Sequence, residues 1–270
     1  MIRLSYFLHR TANLSLEEFQ AYWRDVHGPL VARYAKALRI RRYIQAHVRP
    51  DDPMTAALQQ TYGLGPETYD GVAELWFASP RDLMETLENS EAQEASQALL
   101  EDEGNFIDFS RSALWFEVEH PVISPAGEIV ARDTSTLLKG YYVGPVAPGL
   151  SREAAQSHWI AVHGGLARQY DQFLPFERYI QCHRVDSPLE AALREARDGM
   201  PDYPGIGHAE TWLDRRSMAL AAGPEVEEAF PLLAQDIATF IDTSKARVFV
   251  AKEHVVVNTR IFTDPLPQPA

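Results

Sequence analysis

The chain has 270 residues, of which 23% are charged, and its formal net charge at pH 7 is −13. This acidic balance repels a phosphate backbone, so we expect no nucleic acid among its partners. The single cysteine, Cys182, cannot form an internal disulfide, and the N-terminal apolar run is too short for a signal peptide or a membrane span. We therefore expect a soluble, cytoplasmic protein with no membrane partner.

The first elements in chain order are a strand and a capped helix. Residues 2–8 are rich in β-branched and aromatic types, which favours a strand. Ser15 and Glu18 then have the spacing of a capping box at the start of an amphipathic helical pattern. Gly28-Pro29 interrupts that pattern, because proline lacks a backbone donor, and this predicts a helix end at His27.

Three more strands and several helices follow. Residues 41–48 predict the second strand, and period two places three polar-tipped side chains on one of its faces: Tyr43, Gln45 and His47. A connection of some twenty residues, a length that is typical of a lid or pocket wall, leads to a third strand at 71–77. Helices are predicted over roughly 80–105, and a fourth strand over 112–119. The element order is therefore β-α-β-β-α-β.

The second half of the chain repeats the first. Residues 14–47 align with residues 150–183 without a gap, at a constant offset of 136 and with close to half of the positions identical. The same offset returns where residues 71–76 align with residues 207–212. A repeat of this length is a domain rather than a solenoid unit. We predict a first domain at 1–120, a linker at 121–136, a second domain at 137–258 and a C-terminal tail at 259–270.

The element order of each half predicts a ferredoxin-like α+β domain, with a four-stranded antiparallel sheet covered by helices on one face. The other face needs a cover, and the second copy of the sheet can supply it. We therefore predict two tandem ferredoxin-like domains whose antiparallel sheets pack face to face as a single-chain barrel. Because both sheets lie in one chain, the minimal unit should be a monomer, while a homodimer through the outer helices stays open.

Several motifs of the first copy recur in the second. The first copy has Leu14-Ser15-x-Glu17-Glu18-Phe19-x-x-Tyr22-Trp23-x-x-x-His27-x-Pro29-Leu30, then Arg42-Tyr43-x-Gln45, Asp70-Gly71-Val72-Ala73-Glu74-Leu75-Trp76-Phe77 and Asp102-Glu103-x-x-Phe106-Ile107-Asp108. The second copy retains Trp159, His163, Tyr179, Gln181, Ala209, Glu210, Trp212 and Phe240-Ile241-Asp242, with Gly165 in place of the proline. Through these residues both copies resemble the EthD domain family of the dimeric α/β-barrel superfamily. The resemblance implies a dimeric α/β-barrel fold, whose superfamily includes cyclases, dehydratases, isomerases and oxygenases.

His27 and His163 are the candidate acid/base residues. They lie four residues after Trp23 and Trp159, at predicted helix C-termini where the helix dipole favours the imidazolium. A histidine that exchanges a proton near neutrality is the commonest general acid or base. The structural alternative is a histidine that caps the last helical carbonyls beneath the tryptophan.

Glu74 and Glu210 are the candidate partner carboxylates. Each lies in the middle of an apolar strand, where a carboxylate must be paired, hydrogen-bonded or raised in pKa. These are the conditions that produce a useful base. A structural bond to a backbone amide or to Arg42 is the alternative interpretation.

The candidate substrate-binding residues are aromatic or polar and occur at matched positions of the two repeats. Hydroxyl and amide groups could hold a substrate oxygen, imidazoles share their strand face, and indole rings would line a pocket for a flat apolar ligand. Packing in the core is the alternative for every member of this set. The set comprises Tyr43, Gln45, His47, Tyr179, Gln181, His183, Trp23, Trp76, Trp159 and Trp212.

No cofactor and no metal are expected. The chain has no glycine-rich phosphate loop and no cysteine cluster or HExxH spacing. Haem stays open because relatives of the fold bind it beside a helix histidine.

These residues predict a cofactor-independent lyase or isomerase, of dehydratase or cyclase type, that acts by proton transfer. The family resemblance implies the substrate class, a small hydrophobic aromatic or polyketide-like compound. One rival is a cofactor-free or haem-dependent monooxygenase of a similar substrate, and another is a non-catalytic binding protein for a hydrophobic metabolite. The copies differ at three matched pairs, Pro29/Gly165, His9/Pro145 and Val72/His208, so we expect two unequal pockets, with activity in one pocket as an open alternative to activity in both.

Overall fold

The computed structural model describes residues 1–125, 127–220 and 222–259, and in it eight strands form one closed antiparallel barrel. The strands are β1 Ile2–Leu8, β2 Arg42–Val48, β3 Gly71–Phe77, β4 Ala113–Ile123, β5 Leu137–Pro145, β6 Phe176–Arg184, β7 Gly205–Asp214 and β8 Arg247–Asn258. Their order around the barrel is β1-β3-β2-β8-β5-β7-β6-β4, and β4 pairs with β1 to close it. The predicted α+β fold, a single-chain dimeric α/β-barrel, is confirmed.

Helices cover the outside of the barrel. Those of the first repeat are α1 Leu16–Tyr22, α2 Gly28–Tyr34, α3 Pro53–Tyr62, α4 Pro80–Thr86 and α5 Ser90–Glu103. Those of the second repeat are α6 Arg152–His158, α7 Gly164–Gln169, α8 Pro188–Glu195, α9 Arg215–Leu220 and α10 Pro224–Phe240. In the described ranges, none of these helices has the length and apolar character that crossing a bilayer requires.

The predicted helix start is correct, but the predicted helix end is wrong. Ser15 caps α1 in a complete capping box with Glu18. The chain does not leave the helical path at His27, because a π turn over Trp23–His27 leads directly into α2. Pro29 is accommodated in the first turn of α2, where a missing backbone donor costs little. His27 is therefore not at a helix C-terminus, and the dipole argument for its imidazolium does not apply.

Each strand turns one face to the barrel interior and the other to the helices, because side chains alternate along a strand. In β2 the interior face carries Ile44 and Ala46, whereas Tyr43, Gln45 and His47 point to the helices. The two sheets also join at their edges, where β2 pairs with β8 and β4 pairs with β6. The two sheets therefore face each other across a barrel that is sealed by hydrogen bonds.

The last strand of the first repeat extends slightly past the predicted end of the first domain. Strand β4 runs to Ile123, three residues beyond position 120, and β5 begins at Leu137, while the domain bounds themselves stay a prediction. Residues 260–270 of the predicted tail lie outside the described residues. The monomeric state stays a prediction, although one chain alone closes the barrel.

Candidate functional site

Each repeat has a cavity between the outer face of its sheet and its helices, and the two cavities differ greatly in volume. The first cavity, lined by Trp23, His27 and Tyr43, measures about 410 Å³. The second, lined by the matching Trp159, His163 and Tyr179, measures about 60 Å³. Small-molecule sites are commonly about 300–1,000 Å³, so only the first has the size of a ligand site. The pockets are unequal, as the divergence of the repeats predicts.

The two repeats exchange their covering helices. Leu189 and Leu193 of α8, in the second repeat, line the first cavity. Leu58 and Tyr62 of α3, in the first repeat, line the second cavity. The long connection between the second and third strands of each repeat therefore forms a pocket wall, as its length predicts, but for the opposite repeat.

His27 is the candidate base of the first cavity. Its Nδ1 lies 2.7 Å from Oδ2 of Asp102 on α5, and its side chain is only 7% exposed. The hydrogen bond from His27, with a second one from Tyr22, lowers the pKa of the Asp102 carboxyl. Asp102 is therefore ionised at neutral pH and fixes the histidine tautomer, so Nε2 is the nitrogen left for a ligand.

His163 repeats this arrangement in the second cavity. Its Nδ1 lies 2.9 Å from Oδ2 of Asp236, and Nε2 of His158 lies 2.7 Å from the other carboxylate oxygen. Asp236 thus serves two histidines, whereas the first repeat has Tyr22 at the position of His158. The histidine–aspartate pair therefore occurs in both repeats, but only the first repeat has a large cavity beside it.

Tyr43 presents a hydroxyl to the first cavity. Its oxygen accepts hydrogen bonds from Nε1 of Trp23 at 2.9 Å and from Nε2 of Gln45 at 3.2 Å. Burial raises the pKa of Tyr43, so the hydroxyl keeps its proton and can donate it in a hydrogen bond. Tyr179 has the same two donors in the second repeat, Trp159 and Gln181.

Gln45 and His47 support this site from behind. The Gln45 amide also donates to the carbonyl oxygen of Trp23 at 2.7 Å, and its Oε1 lies 3.2 Å from Nε2 of His47. The His47 ring stacks on the Trp23 indole at 4.8 Å between centroids. His183 stacks on Trp159 in the same way. These amides and imidazoles therefore hold the cavity wall, and they do not line the cavity.

The structure does not bring Glu74 and Glu210 together with the histidines. Both carboxylates are fully buried inside the barrel, on the opposite face of the sheet from the cavities. Lys139 Nζ donates to Glu74 Oε1 at 2.6 Å, and the Tyr141 hydroxyl donates to the same oxygen at 2.6 Å. The predicted pairing with His27 and His163 is therefore wrong; the partner carboxylates are aspartates of the helices.

Trp76 and Trp212 also lie on the interior face, so they do not line a cavity with Trp23 and Trp159. Trp76 Nε1 donates to Glu119 at 3.1 Å, and Trp212 Nε1 donates to Glu253 at 3.0 Å. The two tryptophans also pack against the interior cations, because Arg3 lies over the Trp76 ring and Lys139 over the Trp212 ring.

The buried carboxylates of the barrel have opposite electrostatic settings. Burial and repulsion by Glu210 raise the pKa of Glu74 to about 7, despite attraction by Lys139. Burial would also raise the pKa of Glu210, but Arg3 and Lys139 outweigh it and lower that pKa well below its ordinary value. Glu74 therefore carries the proton that the pair retains near neutrality.

Two groups of interior side chains have the spacing of metal ligands. They are Glu74, His208 and Glu210, and Glu117, Cys182 and His208. Arg3 Nη2 already lies 2.8 Å from Cys182 Sγ and 3.0 Å from His208 Nε2, and Lys139 contacts Glu74 and Glu210. Two protein cations, Arg3 and Lys139, thus already contact these side chains and offset their negative charge.

Sequence reasoning missed three residues that line the first cavity, Tyr6, Glu103 and Arg197, and also Asp102, which holds His27 from behind. Asp102 had a signal, because it lies four residues before Phe106 and recurs as Asp236 four residues before Phe240. Tyr6 also recurs, as Tyr142. Glu103 has Ile237 at its matching position and Arg197 comes from the second repeat, so these two had no such signal.

A match to a family model agrees with the tandem architecture. The chain matches the EthD domain model at residues 11–110 and again at residues 147–244. No curated protein has significant sequence similarity to it. A proposed monooxygenase of Lactobacillus acidophilus NCFM is 9% identical over 96% of both chains, with a TM-score of 0.45. A proposed monooxygenase of Fusobacterium nucleatum is 7% identical over 94% of this chain and 93% of its own, with a TM-score of 0.52.

The second of these likenesses supports the fold and nothing finer, because the identity is only 7%. The two segments that match the family model together span most of the chain. The protein therefore belongs to the EthD domain family and carries two tandem copies of the domain.

Proposed function

We propose that the first cavity binds a small, largely apolar aromatic or polyketide-like compound and that His27 moves a proton on it, as a dehydratase, cyclase or isomerase would. The observation that carries this proposal is a buried histidine, held by a half-buried aspartate, on the wall of a cavity of about 410 Å³. The cavity is otherwise mostly apolar, which favours a hydrophobic ligand.

The Asp102–His27 pair has the arrangement of a general base. Asp102 accepts the Nδ1 proton, which leaves the lone pair of Nε2 for a proton from the ligand. When His27 becomes positively charged, the ionised Asp102 stabilises that charge at a distance of 2.7 Å. A buried, oriented pair of this kind accelerates proton transfer without a cofactor.

The Tyr43 hydroxyl supplies a hydrogen-bond donor in the same cavity. If His27 removes a proton from a carbon next to a carbonyl, the electron pair moves to the carbonyl oxygen, where a donor stabilises it. Return of the proton to another carbon completes an isomerisation, and loss of a neighbouring hydroxyl as water completes a dehydration. Both reactions balance without an oxidant or reductant.

The proposal is tested by proton exchange with 1-tetralone, an aromatic ketone with an exchangeable α-proton. In D₂O, wild-type protein should accelerate the loss of the α-proton signal in the proton NMR spectrum. His27→Gln should abolish this acceleration, whereas the matched His163→Gln should retain it, because the second cavity has no room for the ketone.

Three outcomes would contradict the proposal. Equal rates for wild type and His27→Gln would show that His27 is not the base. Consumption of dissolved oxygen would instead support the monooxygenase alternative, whose reaction the names of the two structural relatives suggest. Binding of the ketone without exchange would support a non-catalytic binding protein.

A further inference from the structure

The Tyr6 side chain is an unused polar group in the first cavity. Tyr6 lies on β1, on the face turned to the helices, and it is 5% exposed. It lines the cavity, and its hydroxyl proton has no acceptor among the described residues, although the Arg197 guanidinium lies close enough to offset part of the rise in the Tyr6 pKa that burial causes. A buried hydroxyl without a partner is unfavourable, so this group needs an acceptor that the protein does not provide.

Arg197 and Glu103 hold the region around Tyr6. Arg197 follows α8 of the second repeat and forms two hydrogen bonds to Glu103 of α5, at 2.7 and 2.9 Å. Its guanidinium lies 5.4 Å from the centroid of the Tyr6 ring. Burial and the Glu103 carboxylate raise the pKa of Tyr6 well above its ordinary value. The hydroxyl therefore stays protonated and can act as a donor.

The second cavity lacks this set. Tyr142 takes the place of Tyr6, but Tyr62 stands where Arg197 stands, and Ile237 stands where Glu103 stands. The Tyr62 ring packs against Tyr142 at 5.2 Å between centroids and helps to fill the second cavity. The polar set around Tyr6 is therefore a property of the enlarged cavity alone.

The charges of the first cavity disfavour an anionic ligand. Arg197 is the one lysine or arginine among the described residues that line it, and Glu103 already neutralises that charge. Asp102, directly beside Glu103 on α5, adds a second negative charge close to His27. When His27 is in its basic, neutral form, the site has an excess of one negative charge.

We propose that the ligand of the first cavity is an uncharged carbonyl compound and that the Tyr6 hydroxyl donates a hydrogen bond to its carbonyl oxygen. This inference rests on the proposed function of the same cavity and names its substrate class. Tyr6 would contact the substrate directly and stabilise the negative charge that the oxygen gains when His27 removes a neighbouring proton. Arg197 and Glu103 are positioning residues that hold the Tyr6 ring.

Three probes of similar shape test the inference by isothermal titration calorimetry: the ketone 2-acetylnaphthalene, the alkene 2-isopropenylnaphthalene and the anion 2-naphthoate. The ketone should bind wild-type protein most tightly. Tyr6→Phe should weaken ketone binding by roughly three- to tenfold, the effect of one lost hydrogen bond, and should leave alkene binding unchanged. The matched control, Tyr142→Phe, should leave the binding of both probes unchanged.

An infrared measurement separates a hydrogen bond from a change in packing. With ¹³C=O-labelled ketone, the carbonyl stretch should shift to lower frequency on binding to wild-type protein. This shift should decrease in Tyr6→Phe, in which Tyr43 is the remaining donor, and should be retained in full in Tyr142→Phe.

The inference is overturned if wild-type protein does not bind the ketone, if Tyr6→Phe binds it with unchanged affinity and carbonyl frequency, or if 2-naphthoate binds more tightly than the ketone. The last result would mean that Arg197 recruits an anion. Failure of this inference about Tyr6 can be told apart from failure of the proposed function. A ketone that is bound by Tyr6 but shows no His27-dependent exchange would remove the proton-transfer reaction and leave the carbonyl site intact.

Discussion

Two buried carboxylates of the barrel interior should respond in opposite ways to the same substitution. Glu74 and Glu117 are both fully buried, and both contact the interior cations or their neighbours. Burial and Glu210 raise the pKa of Glu74 from 4.5 to about 7. Burial would also raise the pKa of Glu117, but Arg3 and His208 outweigh it and lower that pKa from 4.5 to about 2. Glutamine imitates the protonated form of each side chain.

The magnitudes follow from linkage between proton binding and folding. One pKa unit is worth about 1.4 kcal/mol, so each shift corresponds to about 3 kcal/mol. Because the pKa of Glu74 is raised in the folded state, stability falls as the pH rises from 4.5 to 7 and stays reduced above that range. Because the pKa of Glu117 is lowered, its stabilisation is present above pH 4.5 and is lost as the pH falls towards 2.

We therefore expect Glu74→Gln to stabilise the protein by about 1 kcal/mol at pH 5 and about 3 kcal/mol at pH 8. We expect Glu117→Gln to destabilise it by about 3 kcal/mol across the same range. Guanidinium chloride unfolding, followed by tryptophan fluorescence at pH 5, 6, 7 and 8, measures both differences. The reasoning is refuted if Glu74→Gln is less stable than wild type at pH 8, or if its difference from wild type does not change with pH.

Three further predictions concern the cavities and the histidines behind them. Asp102→Asn should slow the exchange of 1-tetralone by about 100-fold, because Asp102 orients His27. The affinity for the ketone should stay within twofold, because Asp102 does not line the cavity. Equal losses of rate and affinity would argue against this role of Asp102. Burial and His120 lower the pKa of His183 to about 3, so lowering the pH to 5 should reduce the free energy of unfolding of wild-type protein by about 2 kcal/mol. His183→Gln should not show this loss, and identical acid sensitivity of that variant would count against the prediction. In Gly71→Ala the new methyl would lie 2.4 Å from the Trp23 ring, which should cost about 1–3 kcal/mol and lower the melting temperature; an unchanged melting temperature would mean that the indole moves freely.

The architecture was largely predictable from the sequence, because periodicity and duplication act on whole elements. Period two in residues 41–48 grouped Tyr43 with Gln45, and the structure keeps them on one face. The direction of that face was not predictable. Both faces of the strand are covered by protein, so the polarity of their residues does not show which face points to the barrel interior and which to the helices.

The same ambiguity explains the wrong carboxylate pairing. Glu74 is adjacent to Tyr43 along the paired strands, yet alternation sends the two side chains to opposite sides of the sheet. Asp102 was accessible to sequence reasoning as a repeated position, whereas Arg197 was not. Its contact with Glu103 joins residues 94 positions apart in different repeats, and no local pattern encodes such a pair.

The central proposal is that, of the two repeat cavities, only the first binds a ligand. Calorimetric titration of wild-type protein with 2-acetylnaphthalene, repeated with Ala73→Leu, tests it most directly, because Ala73 lines that cavity and a leucine there would project into the space that the ligand needs. We predict one molecule bound per chain and loss of binding in Ala73→Leu at an unchanged melting temperature. Two molecules per chain, or undiminished binding to Ala73→Leu, would contradict the claim.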